Sequence, residues 1–110
     1  MPRDYRLYVD DILEAVGRIQ SYTRDMNYGR FSSDLKTQDA VIRNLEIIGE
    51  AARHLPPEKT RKAPGIEWPK ILGLRNILTH EYFGVNLPII WDVVEHKLDP
   101  LAQACRDLLE

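Results

Sequence analysis

Four side chains suited to catalysis lie within eight residues of the chain: Arg75, Asn76, His80 and Tyr82. A histidine titrates near neutral pH and can accept or donate a proton, and an arginine presents a planar fork to phosphate oxygens. Together they suit phosphate chemistry. The alternative interpretation is a plain helix terminus, where His80 is favoured by the helix dipole and Tyr82 is half-buried.

The spacing of these residues limits how they can meet. Asn76 and His80 are four residues apart and share one face of a helix, whereas Arg75 and His80 are about 140° apart around a straight helix. Arg75 and His80 therefore converge only if the helix ends near Thr79 and the chain turns, or if two subunits contribute to one site.

Positive charge is concentrated just before this cluster. Residues 53–75 carry six basic and two acidic side chains, although the whole chain has a net charge of −2. A basic segment on an acidic protein can be an electrostatic footprint for phosphate. The alternative is a solvated loop with scattered lysines. The candidate phosphate contacts in this segment are Lys59, Arg61, Lys62 and Lys70.

Apolar residues at spacings of three and four predict an all-α fold, an up-down bundle of four to five helices in a single domain, residues 1–110. The first helix is predicted to begin after Asp4 as N-cap and to stop at Asn27-Tyr28-Gly29. Its buried face is predicted to carry Tyr5, Tyr8, Ile12, Ala15, Ile19 and Tyr22.

Proline and capping signals mark the later helices. A second helix begins near Ser33 or Asp34, carries Val41, Leu45, Ile48 and Ala52 on its buried face, and ends at Leu55-Pro56-Pro57; one helical turn follows within residues 57–62. A third opens at Pro69 and ends by Gly84. A fourth opens after Asn86, and Pro100 is predicted to kink it or split it in two.

Several classes of protein and site are excluded. The chain has a single cysteine, Cys105, which excludes a disulfide framework and a cysteine-based zinc site. This cysteine usage is typical of proteins in a reducing cytoplasm. We interpret Cys105 as a core residue. The chain begins without an apolar signal-peptide region and contains no membrane-spanning stretch. Glu46, Glu50 and His54 could ligate a metal, but Arg43 and Arg53 on the same helix favour an ion-pair face. We interpret His54 and His96 as surface residues with no partner implied by spacing, and predict no metal site.

Arg75, His80 and Tyr82 match the R-x4-H-x-Y motif, and the chain resembles the HepT-like toxins of the HEPN superfamily. The resemblance extends through residues 11–13, 40–52, 68–76 and 80–91, and so covers nearly the whole chain. It implies a HEPN-type ribonuclease working as a homodimer without metal or cofactor. In this interpretation Arg75 and His80 are catalytic, Asn76 and Tyr82 support them, and the basic residues named above bind RNA.

The resemblance also implies a regulatory partner. HepT-like proteins are usually the toxin of a type II or type VII-like toxin-antitoxin pair whose antitoxin is a minimal nucleotidyltransferase, and that partner is thought to transfer AMP to the motif tyrosine, here Tyr82. Two alternatives remain open: a non-catalytic module that binds nucleotide, RNA or a nucleotidyltransferase, and a purely structural dimerisation bundle. Loss of Arg75 or His80 would favour the first alternative, and both residues are present.

Overall fold

The computed structural model describes residues 3–73 and 86–110, and all regular secondary structure in these ranges is helical. This confirms the predicted all-α class. The helices are α1 (Tyr5–Tyr22), α2 (Tyr28–Ser32), α3 (Leu35–Arg53), α4 (Pro57–Thr60), α5 (residues 68–73), α6 (Leu87–Asp92) and α7 (Leu98–Leu108), with a π-helical turn at Val93–Lys97 between the last two. No helix in the described ranges has both the length and the apolar character needed to cross a bilayer.

The core is built where α1 packs along α3 and against α7. Phe31 of α2 is also fully buried, and the centroid of its ring lies 5.1 Å from the ring centroid of Trp91 in α6. All four residues predicted for the buried face of α3 are buried, which confirms that face. The core residues of the three main helices include Val9, Ile12, Ala15, Val16, Ile19, Val41, Leu45, Ile48, Ala52, Leu98, Leu101 and Cys105.

Two predictions for the first helix were wrong. The side chain of Tyr22 is 41% exposed, because the buried face of α1 centres on Val9, Ile12, Val16 and Ile19. The helix also ends at Tyr22 rather than at residues 27–29: the backbone N–H and the hydroxyl of the next residue, a threonine, both bond to the Ile19 carbonyl.

The Asn27-Tyr28-Gly29 sequence begins a helix instead of ending one. The side-chain oxygen of Asn27 accepts a hydrogen bond from the Arg30 backbone N–H at 2.9 Å, which caps α2. Asparagine is favoured both in turns and at helix N-caps, so the same residue type gives both signals. Its role here depends on Phe31, which α2 carries into the core.

The predicted N-caps are confirmed at the other helices. Asp4 accepts from the Arg6 N–H at 2.9 Å, Asp34 from the Thr37 N–H at 3.0 Å, and Asn86 accepts at the start of α6. The Asp34 carboxylate also accepts the hydroxyl of Thr37. The hydrogen bonds from the backbone and hydroxyl of Thr37 hold the pKa of Asp34 below its ordinary value of 3.8.

Replacing Asp34 with alanine is expected to lower the melting temperature by about 4–8 °C, because the first turn of α3 loses its cap. Asp34→Asn is the control, since asparagine also caps.

The pKa of Asp34 is depressed by folding, so its ionisation stabilises the protein above about pH 3.8, and that contribution is lost as pH falls through the folded-state pKa. The advantage of wild type over Asp34→Asn should therefore shrink below pH 3.8 in calorimetry. An Asp34→Ala protein that melts like wild type would contradict the capping role.

Pro100 does not split the C-terminal helix in two: α6, a π-helical turn and α7 follow one another without a gap. Pro100 is the third residue of α7, where a backbone N–H would have no partner within the helix. In an unbroken helix the carbonyl of His96 would accept from residue 100, but proline has no N–H to donate. The chain forms the π-helical turn Val93–Lys97 immediately before α7, so the irregularity lies just N-terminal to the proline.

Cys105 is fully buried in the core cluster, which confirms its interpretation as a core residue. Burial raises the pKa of its thiol to about 12, so the thiol stays protonated at neutral pH. A protonated, inaccessible thiol is a poor nucleophile, which agrees with a structural role for this cysteine.

Candidate functional site

The three motif residues Arg75, His80 and Tyr82, and the supporting residue Asn76, lie in residues 74–85, outside the residues that the structure describes. Their proximity to one another therefore stays a prediction. The structure does describe the elements at both ends of this segment. Residue 73 ends the described part of α5, and α6 begins at residue 87.

Helix α5 begins at residue 68, one residue before the Pro69 at which the sequence predicts it to open. The indole N–H of Trp68 donates to the Ala63 carbonyl at 3.2 Å, and Ile71 packs against the core. Lys70 pairs with Glu67 at 2.8 Å; this hydrogen bond and charge lower the pKa of Glu67 and raise that of Lys70. These contacts hold α5 in place up to residue 73.

Helix α6, which follows residues 74–85, is also held by its cap and by the core. The side-chain oxygen of Asn86 accepts from the Ile89 N–H at 3.2 Å, and proline occupies an early position in the helix. Ile90 and Trp91 are buried in the core. The proposed catalytic segment is thus held at both ends by elements anchored to one core.

A depression of about 510 Å³ lies between α5 and the α6–α7 region; we call it the proximal groove. Its apolar residues include Ile71, Val93 and Ile89, whose side chain is 56% exposed. Its polar side chains are Glu67, Lys70, Asp92, His96 and Lys97. Two of its walls are therefore the elements that lead into and out of residues 74–85.

A second depression of about 500 Å³, the distal groove, lies where the N-terminus of α1, the segment after α4 and the C-terminal half of α7 meet. Tyr5, Lys59 and Lys62 line it, as do Asp107 and Glu110. The two grooves adjoin, because both are lined by Gly65, Ile66 and Pro100.

The structure brings together only part of the predicted RNA-binding set. Lys59 and Lys62 share the distal groove, whereas Lys70 lies in the proximal groove with its charge offset by Glu67. Arg61 is exposed but lines neither groove. The basic segment is thus spread over two depressions rather than forming one patch.

Both surface histidines have partners that the sequence interpretation missed. The Nδ1 of His96 lies 2.9 Å from Asp92, and the Nε2 of His54 lies 3.2 Å from Glu50. The ring of His54 also stacks on Tyr8, with centroids 4.8 Å apart. Each histidine follows its carboxylate by four residues, so helical spacing could have revealed both pairs. Tyr5 and Lys97 gave no such local signal, and only tertiary packing places them in the grooves.

The polar face of α3 is an ion-pair face, as predicted. Arg53 donates to Glu50 at 2.8 Å, and Arg43 lies 3.9 Å from Glu46. Arg43, Glu46 and Glu50 line a cavity of about 410 Å³ together with residues of α1. Within residues 3–73 and 86–110, no three histidine, cysteine or acidic side chains are grouped to hold a metal ion.

Comparison with known proteins identifies the family. The model of the ribonuclease HepT-like family matches residues 12–108. A probable ribonuclease HepT of Thermococcus cleftensis is 41% identical over 92% of each chain. An mRNA nuclease HepT of Shewanella oneidensis is 31% identical over 84% of this chain and 86% of that one.

A solved structure agrees with these relatives. A tri-AMPylated Shewanella oneidensis HEPN toxin, in complex with MNT antitoxin, matches with a TM-score of 0.70 and 30% sequence identity over 97% of both chains. The family match spans most of the chain, and the structural match covers 97% of it. This chain belongs to the ribonuclease HepT-like family of the HEPN superfamily.

Proposed function

We propose that this protein is a metal-independent endoribonuclease, the toxin of a type II or type VII-like toxin-antitoxin pair, acting on RNA in the cytoplasm. The observation that carries the proposal is the intact R-x4-H-x-Y motif, Arg75, His80 and Tyr82, in a chain of the HepT-like family. The relative named an mRNA nuclease and the neighbour named a HEPN toxin support the same activity.

The proposed reaction is internal transfer of an RNA phosphate. A ribose 2′-hydroxyl loses its proton to an imidazole and attacks the adjacent phosphorus. The O2′–P bond forms while the P–O5′ bond breaks, and the departing 5′-oxygen takes a proton from an imidazolium. His80 fits either proton role, and Arg75 can bind two phosphate oxygens at once. Asn76, one turn before His80, would orient its ring or contact the phosphate.

The proposal includes a homodimer because the motif supplies one histidine per chain and the reaction uses two proton carriers. A twofold axis near α5, or near the segment just after it, would bring two copies of His80 and Arg75 to one cleft. The poor convergence of Arg75 and His80 on a single straight helix supports the same arrangement.

Two measurements test this proposal. Purified protein is expected to cleave single-stranded RNA in excess EDTA, because the reaction as written uses only side chains. Size-exclusion chromatography with light scattering is expected to give twice the 12.8 kDa of one chain at micromolar concentration. Cleavage abolished by EDTA would contradict the chemistry, and a monomer would contradict the composite site. Binding of RNA without cleavage would favour the non-catalytic module.

We further propose that the antitoxin partner is a nucleotidyltransferase of the MNT type. The neighbour of 30% identity was solved in complex with such an antitoxin and in an AMPylated state. The motif tyrosine of this chain, Tyr82, is the proposed acceptor of AMP.

A further inference from the structure

Tyr5 is held as a fixed aromatic platform at one end of the distal groove. Its hydroxyl donates a hydrogen bond to the Leu108 carbonyl at 3.2 Å, which ties the start of α1 to the end of α7. The ammonium of Lys59 lies 4.5 Å from the ring centroid, and the guanidinium of Arg6 lies 5.8 Å from it. A half-buried ring with cations against it can accept a nucleobase by stacking.

The position of this platform links it to the proposed catalytic segment. Tyr5 lines the distal groove, which adjoins the proximal groove at Gly65, Ile66 and Pro100. The proximal groove lies between α5 and α6, the elements on either side of residues 74–85. A strand lying in both grooves would therefore run from Tyr5 towards that segment.

The two grooves carry equal numbers of lysine and acidic side chains: Lys59, Lys62, Lys70 and Lys97 against Glu67, Asp92, Asp107 and Glu110. A polyanion would be held there by individual lysines that acidic neighbours leave accessible, not by a net positive charge. Glu67 is paired with Lys70, whose hydrogen bond and charge lower the pKa of that carboxyl, and the charge of Lys97 adds to this effect. Asp92 lies 2.9 Å from His96, and Asp107 accepts a hydrogen bond from the neutral amide of Gln103. Lys62 and Lys97 line the grooves without forming an ion pair in the part of the chain that the structure describes. Glu110 also lines the distal groove, beside the C-terminus.

We propose that the two grooves together bind single-stranded RNA, with one base stacked on Tyr5 and with Lys62 and Lys97 contacting phosphates. In the free protein the ammonium of Lys59 lies over one face of the Tyr5 ring. When RNA binds, a base stacks on that face and the ammonium moves to a phosphate. Every base has a π-face, so the platform selects single strands over duplexes without reading sequence. This inference rests on the proposed ribonuclease function and adds Tyr5 and Lys97 to its substrate path.

Binding of a single-stranded 2′-O-methyl oligoribonucleotide, which cannot be cleaved by 2′-hydroxyl attack, tests the inference by fluorescence anisotropy over a range of salt. Tyr5→Leu is expected to weaken binding by about 5- to 150-fold, the range for loss of one stacked base. Tyr5→Phe keeps the ring and should bind nearly as wild type does. Lys62→Gln and Lys97→Gln should each lower the salt-dependence slope by about 0.7.

The matched control is Lys36→Gln, which removes an exposed cation from the first turn of α3, outside both grooves, and should leave the slope unchanged. If Tyr5→Leu fails to fold by melting analysis, the Lys62→Gln/Lys97→Gln double variant carries the test. Unchanged slopes in that variant, or duplex RNA bound as tightly as single strands, would overturn the inference. A third outcome would also overturn it: a double variant that binds RNA normally but binds the antitoxin more weakly than wild type does. That result would make the grooves an interface with the antitoxin.

Parallel cleavage assays separate this inference from the proposed function. Wild-type protein that binds the oligonucleotide through Tyr5 but cuts no RNA would contradict only the ribonuclease proposal. If variants of Tyr5, Lys62 and Lys97 cut RNA as well as wild type does, only the proposal that RNA binds in the grooves would be contradicted.

Discussion

Replacing His80 with alanine is expected to reduce RNA cleavage by about 10²–10⁴-fold, the range for removal of a general acid or base. The loss should appear in the single-turnover rate at saturating protein, because His80 is proposed to move protons rather than to bind the substrate. Arg75→Lys is also expected to cut poorly, since an ammonium cannot reproduce the two-pronged contact of a guanidinium with phosphate.

His54→Ala is the matched control for that experiment. His54 is a half-exposed histidine outside the proposed site: it pairs with Glu50, stacks on Tyr8 and lines neither groove. Its removal should leave cleavage within about the factor of two that small stability changes produce. Normal cleavage by His80→Ala, or an equal loss in His54→Ala, would refute the proposed role of His80.

Mixed dimers extend the test to the composite site. If one cleft uses the histidines of both subunits, a dimer of one wild-type and one His80→Ala chain should be as slow as the doubly substituted dimer. Two independent sites would instead leave half of the activity. Differently tagged chains, co-expressed and purified through both tags, distinguish these outcomes.

Co-expression with a nucleotidyltransferase antitoxin is expected to add whole AMP units to Tyr82 and to abolish cleavage. The phenolic oxygen of Tyr82 would attack the α-phosphorus of a nucleoside triphosphate, form an O–P bond, lose its proton to a base and release pyrophosphate. The added phosphodiester anion would compete for Arg75, and the adenosine would block RNA entry. Intact mass spectrometry and peptide mapping give the result.

Tyr82→Phe should gain no AMP, and the antitoxin should not lower its rate of RNA cleavage below the rate that this variant has on its own. Tyr28→Phe is the control, because Tyr28 is an exposed tyrosine on α2 and should leave AMP transfer to Tyr82 unchanged. An unmodified wild-type protein that is nevertheless fully inhibited would establish occlusion by the antitoxin in place of modification.

Local signals in the sequence were sufficient for most of the scaffold. Asp4, Asp34 and Asn86 cap the helices that they were predicted to cap, and the C-terminal helix is irregular just before Pro100. Capping and the missing proline N–H act over three or four residues, so the neighbouring sequence contains all the information that they need. The chemical candidates Arg75 and His80 also came from residue types and spacing, strengthened by the resemblance, and their geometry stays a prediction.

Tertiary structure alone decided which surface residues work together. Asn27 became a cap rather than a stop because Phe31 has a place in the core. The hydroxyl of Tyr5 meets a carbonyl 103 residues away, and no pattern along the chain records that contact. The distal groove forms where α1, the segment after α4 and α7 meet, and the proximal groove forms between α5 and the α6–α7 region. A concave surface of this kind is made by residues that packing, not sequence proximity, makes neighbours.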